Sequence, residues 1–347
     1  YMVTMDSNKR KVLIYTSLLA AVSAATFSFI SYRRRGKQTA GTVDKSKNSN
    51  RKAPQQKLSA SQTENKVLLE KYREQWSDEQ QKLKRLLLED DDVVWDIDDG
   101  PVPNQSKKTS AEEEERHEGI NKSKRPLRLV AGVDISFVKG SEDNACAALV
   151  VLCLPSMKVV YEAHRRLTMP LPYVSGFLAF REAPVLVELV RELRARRPEL
   201  EPDLVMVDGS GVLHPGGFGL ASHLGVLTGL RTIGIAKKFL NVDGVSKEMV
   251  KDRLEVHRKE QRKPKAGPDS MLIKGDSGKI WGAAFCANSS VHNPIYVSVG
   301  HKVSLATALA ACRACCRHRL PEPVRQADIR SRNVVREWLS ANEENGK

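Results

Sequence analysis

LRLVAGVDISF (127–137) and LVMVDG (204–209) are two apolar runs that each contain one aspartate, Asp134 and Asp208. Short runs rich in valine, isoleucine and leucine are typical of buried strands, where a charged residue is rare. An ionised carboxylate beside a core is costly unless a partner compensates its charge. A divalent cation would do so. The two runs therefore predict neighbouring strands that present Asp134 and Asp208 to one metal ion.

The sequence around these runs predicts an α/β fold. Apolar runs separated by Pro, Gly and charged turns predict strands at 128–137, 145–154, 158–164, 203–209, 231–239, 279–286 and 294–300. Helical patterns fall at 176–197, 218–227 and 303–317, whereas 241–275 shows no clear period. Three consecutive antiparallel strands, then a helix and parallel buried strands, predict a ribonuclease H-like mixed sheet flanked by helices, with a flexible N-terminal extension.

Glu182 is a third acidic candidate, at the end of GFLAFRE on the predicted helix. If that helix packs on the sheet near Asp134 and Asp208, three carboxylates converge. Such a hard oxygen site suits Mg²⁺, and Mn²⁺ can substitute. An ordinary interpretation stays open, because an acid at a strand end is often a turn former or helix cap. Glu182 is equally compatible with an exposed helix position.

Further candidates follow the other predicted strands. Lys237 ends the strand TIGIAK, where it could meet a phosphate. His301 follows YVSVG, where it could ligate a metal or transfer a proton. The glycines after Asp208, among them Gly209, Gly211 and Gly219, would let backbone approach a flat base closely, or are plain turn residues.

The net charge of +14 is unevenly distributed. Residues 1–60 hold 12 basic and two acidic side chains, and residues 127–347 hold 32 and 23. A basic C-terminal part favours a polyanionic partner such as nucleic acid. The six cysteines show neither a disulfide framework nor zinc spacing.

We divide the chain into five parts: a basic extension (1–62), an N-terminal helix of the catalytic unit (63–99), a charged flexible insert (100–125), a catalytic domain (126–335) and a polar tail (336–347). Within the extension, residues 12–32 carry no charge over a length that can span a bilayer. This segment is predicted to be a membrane anchor, a targeting peptide or sequence outside the working protein.

Six segments resemble endonuclease V, in the order that this family has them. They are GVDISF (132–137), PYVSGFLAFRE (172–182), VDGSGVLHPGGFGLASHLG (207–225), IGIAKK (233–238), YVSVGHKVSL (296–305) and RLPEPVRQAD (319–328). The resemblance extends from about Glu74 to about Arg332. It implies a ribonuclease H-like enzyme that hydrolyses the second phosphodiester bond 3′ to inosine.

The resemblance also implies roles for individual residues. Asp134, Glu182 and Asp208 become the metal-binding carboxylates, His301 a further active-site residue near the metal, and Lys237 the phosphate-contacting lysine. A wedge segment (172–175) would prop the substrate open, and a glycine segment (209–221) would line the base pocket. The expected substrate-binding residues are Pro172, Tyr173, Val174, Ser175, Gly209, Gly211, His214, Gly219, Leu220 and Lys237.

We therefore expect a monomeric endonuclease of the cytoplasm or nucleus, including the nucleolus, that acts on inosine-containing single-stranded RNA or DNA. The products would carry a 3′-hydroxyl and a 5′-phosphate. Two alternatives are kept. One is an inosine-binding protein that does not cleave and is tethered to a membrane by residues 12–32. The other is a different ribonuclease H-like metal nuclease, such as a junction resolvase.

Overall fold

The computed structural model describes residues 60–97, 125–169, 171–260, 268–288, 291 and 293–344. The segment 12–32 and nearly all of the predicted extension and insert lie outside these residues. Within the described ranges, no helix is both long enough and apolar enough to cross a membrane.

A mixed sheet of eight strands forms the centre of the molecule. Two short strands, β1 (Trp95–Asp96) and β2 (Arg125–Pro126), pair with each other beside it. The sheet itself consists of β3 (Leu129–Phe137), β4 (Asn144–Cys153), β5 (Lys158–Thr168), β6 (Leu204–Val207), β7 (Thr232–Ala236), β8 (Asp269–Lys274), β9 (Ile280–Cys286) and β10 (Ile295–His301). Its order is β5-β4-β3-β6-β7-β10-β9-β8.

The directions of the strands confirm the predicted fold class. The strands β3, β4 and β5 form an antiparallel meander. The strands β6 and β7 then run parallel to β3 on its other side. The remaining three strands extend the sheet in antiparallel fashion beyond β7.

Helices cover both faces of the sheet. The six α-helices of the described residues are α1 (Ala60–Lys84), α2 (Leu178–Arg196), α3 (Leu220–Thr228), α4 (Lys247–Glu260), α5 (Leu305–Cys315) and α6 (Glu322–Glu344). One core lies between α2, α3 and side chains such as Val133, Leu149 and Val207. The other lies between α5, the start of α6 and side chains such as Val130 and Met206. Alternation along β3 thus sends neighbouring residues to opposite cores.

The approach of α6 to β3 is unusually close. A Cβ atom on Gly132 would lie 1.9 Å from the carbonyl oxygen of Pro323. Only a glycine lets the two backbones meet at this distance. Residues of β3 on the same face as Gly132, among them Asp134, therefore lie within reach of α6.

The structure adds elements that the sequence pattern did not predict. The region 241–275 contains α4 and β8, and residues after 321 form α6. The boundary drawn at residue 335 falls inside α6, which continues to Glu344. The N-terminal helix ends at Lys84, and the chain continues through β1.

Candidate active site

The register of β3 and β6 places the first two candidate carboxylates side by side. Val133 pairs with Val207 in the parallel ladder, and the backbone N–H of Asp208 donates to the carbonyl oxygen of Val133 at 3.0 Å. Asp134 and Asp208 are therefore the next residues along two adjacent strands. Asp134 is only 6% exposed, so its charge is largely withdrawn from water.

A third aspartate joins them from α6. Carboxylate oxygens of Asp134, Asp208 and Asp328 lie within 4.8 Å of one another. Asp328 ends the segment 319–328 that resembles the family, but it was not among the predicted site residues. It reaches the sheet because it lies on α6, a helix that the sequence pattern did not predict.

Lys237 lies between two of these carboxylates. It follows β7, which runs parallel to β6, so its side chain reaches the same edge of the sheet. Its Nζ lies 2.5 Å from Asp208 Oδ2 and 2.7 Å from Asp328 Oδ1. Burial alone would lower the pKa of Lys237, but Asp208 and Asp328 outweigh it and raise that pKa above its usual value.

The pKa of Asp208 is raised well above its usual value, first by burial and then by the proximity of Asp134, although Lys237 acts in the opposite direction. Asp134 is held by hydroxyls. Ser331 Oγ of α6 donates to Asp134 Oδ2 at 2.6 Å, and Ser136 Oγ donates to the same oxygen at 3.2 Å. The cluster is thus oriented from β3 and α6 together.

Glu182 lies near this cluster but outside the group of three. It occupies the early part of α2, is 7% exposed and lines the same pocket as Asp134 and Asp208. Burial raises the pKa of Glu182 to about 7; Arg181 lowers it and Asp134 raises it by smaller amounts. The predicted convergence of Asp134, Glu182 and Asp208 on one pocket is found in the structure.

These residues fit a divalent cation. Three carboxylates packed together repel one another, and burial followed by the proximity of Asp134 raises the pKa of Asp208. A bound cation would relieve this repulsion. Carboxylate oxygens are hard ligands of the kind that Mg²⁺ and Mn²⁺ prefer. Asp134, Asp208 and Asp328 are the residues that would hold the ion, with Glu182 beside them.

A pocket of about 490 Å³ is lined by three of these carboxylates, Asp134, Glu182 and Asp208. Most of the residues predicted to bind substrate line it, namely Tyr173, Ser175, Gly209, His214, Gly219, Leu220 and Lys237. Tyr173 is 57% exposed at the rim, which suits an aromatic ring that stacks on a base. Phe218, Leu178 and Leu240, which the sequence analysis did not single out, also line the pocket.

Three of the predicted substrate-binding residues lie outside the pocket lining. Val174 is buried in an apolar cluster with Tyr72 and Trp76 of α1. Pro172 is half-buried and does not line the pocket. Gly211 is packed against β10, where a Cβ atom would lie 1.8 Å from the carbonyl oxygen of Val299.

The predicted place of His301 near the metal is wrong. Strand β10 runs antiparallel to β7, and His301 pairs with Thr232 at the start of β7. Lys237 follows the other end of β7, so His301 lies at the opposite edge of the sheet. There it is 4% exposed, and its Nδ1 accepts a hydrogen bond from the N–H of Leu88 at 3.3 Å.

His214 is the histidine that reaches the pocket. Burial, followed by the charge of Lys84, lowers its pKa to about 4, so the ring is neutral at neutral pH. Its Nδ1 accepts from the N–H of Gly216 at 3.1 Å, which leaves Nε2 as the protonated nitrogen. The pocket therefore contains a neutral ring N–H donor.

Known proteins are similar to this chain in both sequence and fold. The family model described as Endonuclease V matches residues 110–329. Mouse endonuclease V is 46% identical over 264 residues, covering 76% of this chain and 70% of the mouse protein. Human endonuclease V is 50% identical over 213 residues, covering 61% and 73%.

Solved structures agree with these matches. The crystal structure of human ENDOV has a TM-score of 0.63 and 41% identity, and the match covers 77% of this chain and 99% of that one. Endonuclease V of Ciona intestinalis, in complex with a DNA containing an inosine followed by a ribo-adenosine, has a TM-score of 0.63 and 30% identity over 77% of this chain and 98% of that one. Since the matched residues include the sheet and most of the acidic pocket, the protein is an endonuclease that belongs to the endonuclease V family.

Proposed function

We propose that the protein hydrolyses the second phosphodiester bond 3′ to an inosine in single-stranded RNA or DNA, leaving a 3′-hydroxyl and a 5′-phosphate. One observation carries the proposal: two aspartates of the cluster, Asp134 and Asp208, line a pocket whose wall combines an exposed tyrosine with glycine backbone. Such a pocket can take a base that has been turned out of its stack. The inosine-containing DNA bound to the Ciona relative supports inosine as that base.

Mg²⁺ is the proposed cofactor, and Mn²⁺ would substitute for it. When bound by Asp134, Asp208 and Asp328, the ion would polarise the phosphoryl oxygen and orient the attacking water. Glu182 lines the same pocket and would transfer a proton during the reaction. Burial raises the pKa of Glu182 to about 7, which suits that role.

Lys237 would contact the substrate phosphate. In the structure its ammonium group forms ion pairs that neutralise Asp208 and Asp328. Once a cation takes over that neutralisation, the ammonium group is available for a phosphate oxygen near the same edge of the sheet. Lys238, exposed beside it, adds positive charge at the rim.

Base recognition would fall to the glycine segment and His214. Hypoxanthine carries a carbonyl oxygen where adenine carries an amino group. A neutral His214 can donate from Nε2 to a carbonyl oxygen but cannot accept from an amino group at the same nitrogen. Tyr173 would stack on a neighbouring base and offset part of the stacking lost on unstacking, about 1–3 kcal/mol.

We also propose that the protein acts as a monomer. Of the two alternatives, another ribonuclease H-like nuclease is excluded because the family is established. A binding protein that does not cleave is tested directly by the experiment below.

The test uses end-labelled single-stranded RNA and DNA oligonucleotides, each with one inosine, and the full chain with Mg²⁺. We expect cleavage one bond beyond the inosine, abolished by EDTA and by Asp134→Ala. Asp252→Ala, which removes an exposed aspartate of α4, is the matched control and should cleave normally. Tight binding of inosine without cleavage would instead favour the binding protein, and the ratio of RNA to DNA rates identifies the preferred strand.

A further inference from the structure

Helix α1 lies outside the residues that the family model matches, yet it contacts both segments that face the substrate. On one side it packs against the wedge segment. Tyr72 and Trp76 form an apolar cluster with Leu171, Val174 and Phe180. The rings of Trp76 and Phe180 are stacked with centroids 5.3 Å apart. The wedge segment therefore packs against α1 through Val174, while Tyr173 stays outside this cluster and is exposed.

On its other side α1 donates hydrogen bonds to the glycine segment. Gln80 Nε2 donates to the carbonyl oxygen of Phe218 at 2.9 Å, and Lys84 Nζ donates to that of Gly216 at 2.9 Å. The glycine segment fits closely here, because a Cβ atom on Gly216 would lie 2.5 Å from Gln80 Oε1.

Gln80 joins the two segments. The amide nitrogen that donates to Phe218 also donates to the carbonyl oxygen of Gly176, at 3.5 Å. Gly176 directly follows the wedge segment, and Phe218 lies in the glycine segment. Gln80 is only 4% exposed, so water does not compete freely for these bonds. A single primary amide has two N–H donors, one for each carbonyl.

We propose that Gln80 is a positioning residue that fixes the distance between the wedge segment and the glycine segment, and thereby sets the affinity for an inosine-containing strand. The proposal rests on the proposed function, since both segments must engage one strand at the same time. A base held in the pocket and a neighbour stacked on Tyr173 are joined by the nucleic-acid backbone. Two segments held at the right spacing before binding lose less entropy when the strand arrives.

This role differs from that of the carboxylates. Gln80 does not line the pocket, and the aspartate cluster is built by β3, β6 and α6 without α1. Loss of the amide should therefore weaken binding while leaving the chemical step of bound substrate nearly unchanged.

The test compares Gln80→Met with Gln81→Met in the full chain. Methionine has a length close to that of glutamine and no donor, so Gln80→Met removes the hydrogen bonds without opening a large cavity. Gln81 is the same residue type one position on, but it is exposed. Binding is measured by fluorescence anisotropy in EDTA with an inosine oligonucleotide and its adenosine counterpart, and cleavage is measured at saturating protein with Mg²⁺.

For Gln80→Met we expect the Kd for the inosine oligonucleotide to rise about tenfold, which corresponds to about 1.4 kcal/mol. The Kd for the adenosine oligonucleotide and the saturating cleavage rate should change less than about threefold. Gln81→Met should match the wild type throughout. Without substrate, hydrogen exchange of the amides at 173–176 and 216–219 should accelerate in Gln80→Met only.

Several results would overturn the proposal. One is an unchanged Kd in Gln80→Met; another is an equal loss on both oligonucleotides. A third is a fall in cleavage rate that follows a lowered melting temperature, since that outcome is a general loss of stability. Absence of cleavage by the wild type contradicts the proposed function alone, because the binding and exchange measurements need no turnover. Unchanged exchange in both segments contradicts the role of Gln80 whatever the substrate.

Discussion

At the scale of single residues, Asp328 gives the first prediction, because it joins the carboxylate cluster although its sequence context does not mark it. Asp328→Asn keeps the size of the side chain but removes one charge from the cluster. We expect cleavage of an inosine oligonucleotide at fixed Mg²⁺ to fall by about 100-fold or more, in line with losses seen when metal sites are altered. Excess Mn²⁺ should recover part of the rate if the loss lies in metal affinity.

The matched control for this prediction is Glu337→Gln, which removes an exposed acid from the same helix. It should leave the rate unchanged. Equal rates for wild type and Asp328→Asn would show that Asp328 is no part of the reacting site.

Glu182 gives a prediction about pH. Its pKa is raised to about 7 in the folded protein from an ordinary value of 4.5, so the folded state favours its protonated form. The stability this contributes is fully present below pH 4.5 and is lost as pH rises through about 7. In EDTA, the free energy of unfolding of the wild type relative to Glu182→Gln should fall by about 3 kcal/mol between pH 4.5 and 8.

The comparison with Glu182→Gln matters because buried histidines act in the opposite direction. His214 and His223 both have pKa values lowered to about 4, so each makes the fold more stable as pH rises toward 6.5. Those contributions cancel in the difference between the two proteins. A control, Glu188→Gln, changes an exposed acid of the same helix and should show no such pH dependence. If the difference in free energy of unfolding between the wild type and Glu182→Gln did not change with pH, the raised pKa of Glu182 would be contradicted.

Individual residues also show what a sequence can indicate. Asp134 and Asp208 were identified because charge in an apolar run is anomalous, and parallel pairing then makes them neighbours. His301 was misplaced because its position after a strand carries no information about strand direction. Asp328 carries no anomaly of its own, since an acid among polar helix residues is ordinary. Only the packing of α6 on β3 makes it part of the cluster.

At the scale of elements, the contact between β3 and α6 gives a third prediction. Gly132→Ala places a methyl group inside the space of the Pro323 carbonyl, so α6 must move. Overpacking of this kind costs about 1–3 kcal/mol, and a rigid backbone neighbour favours the upper end. Because α6 carries Asp328 and Ser331, cleavage should fall together with stability. Both are measured on one preparation, by thermal melting and by single-turnover cleavage.

Gly140→Ala separates this effect from ordinary backbone strain. Gly140 has a φ of 81° with nothing near its missing Cβ atom. An alanine there costs about 1 kcal/mol of conformational strain but displaces no element. It should lower the melting temperature slightly and leave cleavage unchanged. If Gly132→Ala cleaved normally, the displacement of α6 would not disturb Asp328 and Ser331, and the prediction would be wrong.

The predicted and missed elements differ in how they are buried. The strands β3, β4, β6 and β7 are buried on both faces, and continuous apolar runs revealed them. Helix α4 is largely exposed, with Val250 and Leu254 buried among charged residues, so its period is weak. Strand β8 lies at the edge of the sheet and alternates little. Both elements are only partly buried, so their sequences lack the hydrophobic periodicity by which a helix or strand is predicted. Poor helix or strand propensity is not the reason.

At the scale of the whole molecule, the ends of the charged insert give a fourth prediction. Residues 95–96 pair with 125–126, and the N–H of Leu127 donates to the carbonyl oxygen of Asp96 at 2.9 Å. Arg125 also forms an ion pair with Asp203. Replacing 98–124 by about seven Gly and Ser residues should therefore leave the fold and inosine cleavage unchanged. Making the loop fourfold shorter changes the entropic free-energy cost of closing it by only about 1 kcal/mol.

The control for the shortened protein is Arg125→Ala in the intact chain, which breaks the anchor and keeps the insert. It should lower the melting temperature more than the shortening does. Loss of cleavage on shortening alone would assign the insert a part in substrate binding.

The anchoring of residues 12–32 remains a prediction, because this segment lies outside the described residues. If it is an anchor, the full chain expressed in cells should sediment with membranes, and deletion of 1–59 should release it to the cytoplasmic or nuclear fraction. Deletion of 36–59 alone keeps the apolar segment and should not release it. Equal soluble fractions for all three proteins would exclude an anchor.

The contact between Trp76 and the wedge segment has an optical consequence. Indole emission depends on the polarity around the ring, and Trp76 is held in an apolar cluster against Val174 and Phe180. Any displacement of the wedge by an arriving strand alters those surroundings. The protein thus contains a built-in fluorophore whose signal, compared with that of Trp76→Phe, reports movement of the wedge segment when a strand binds.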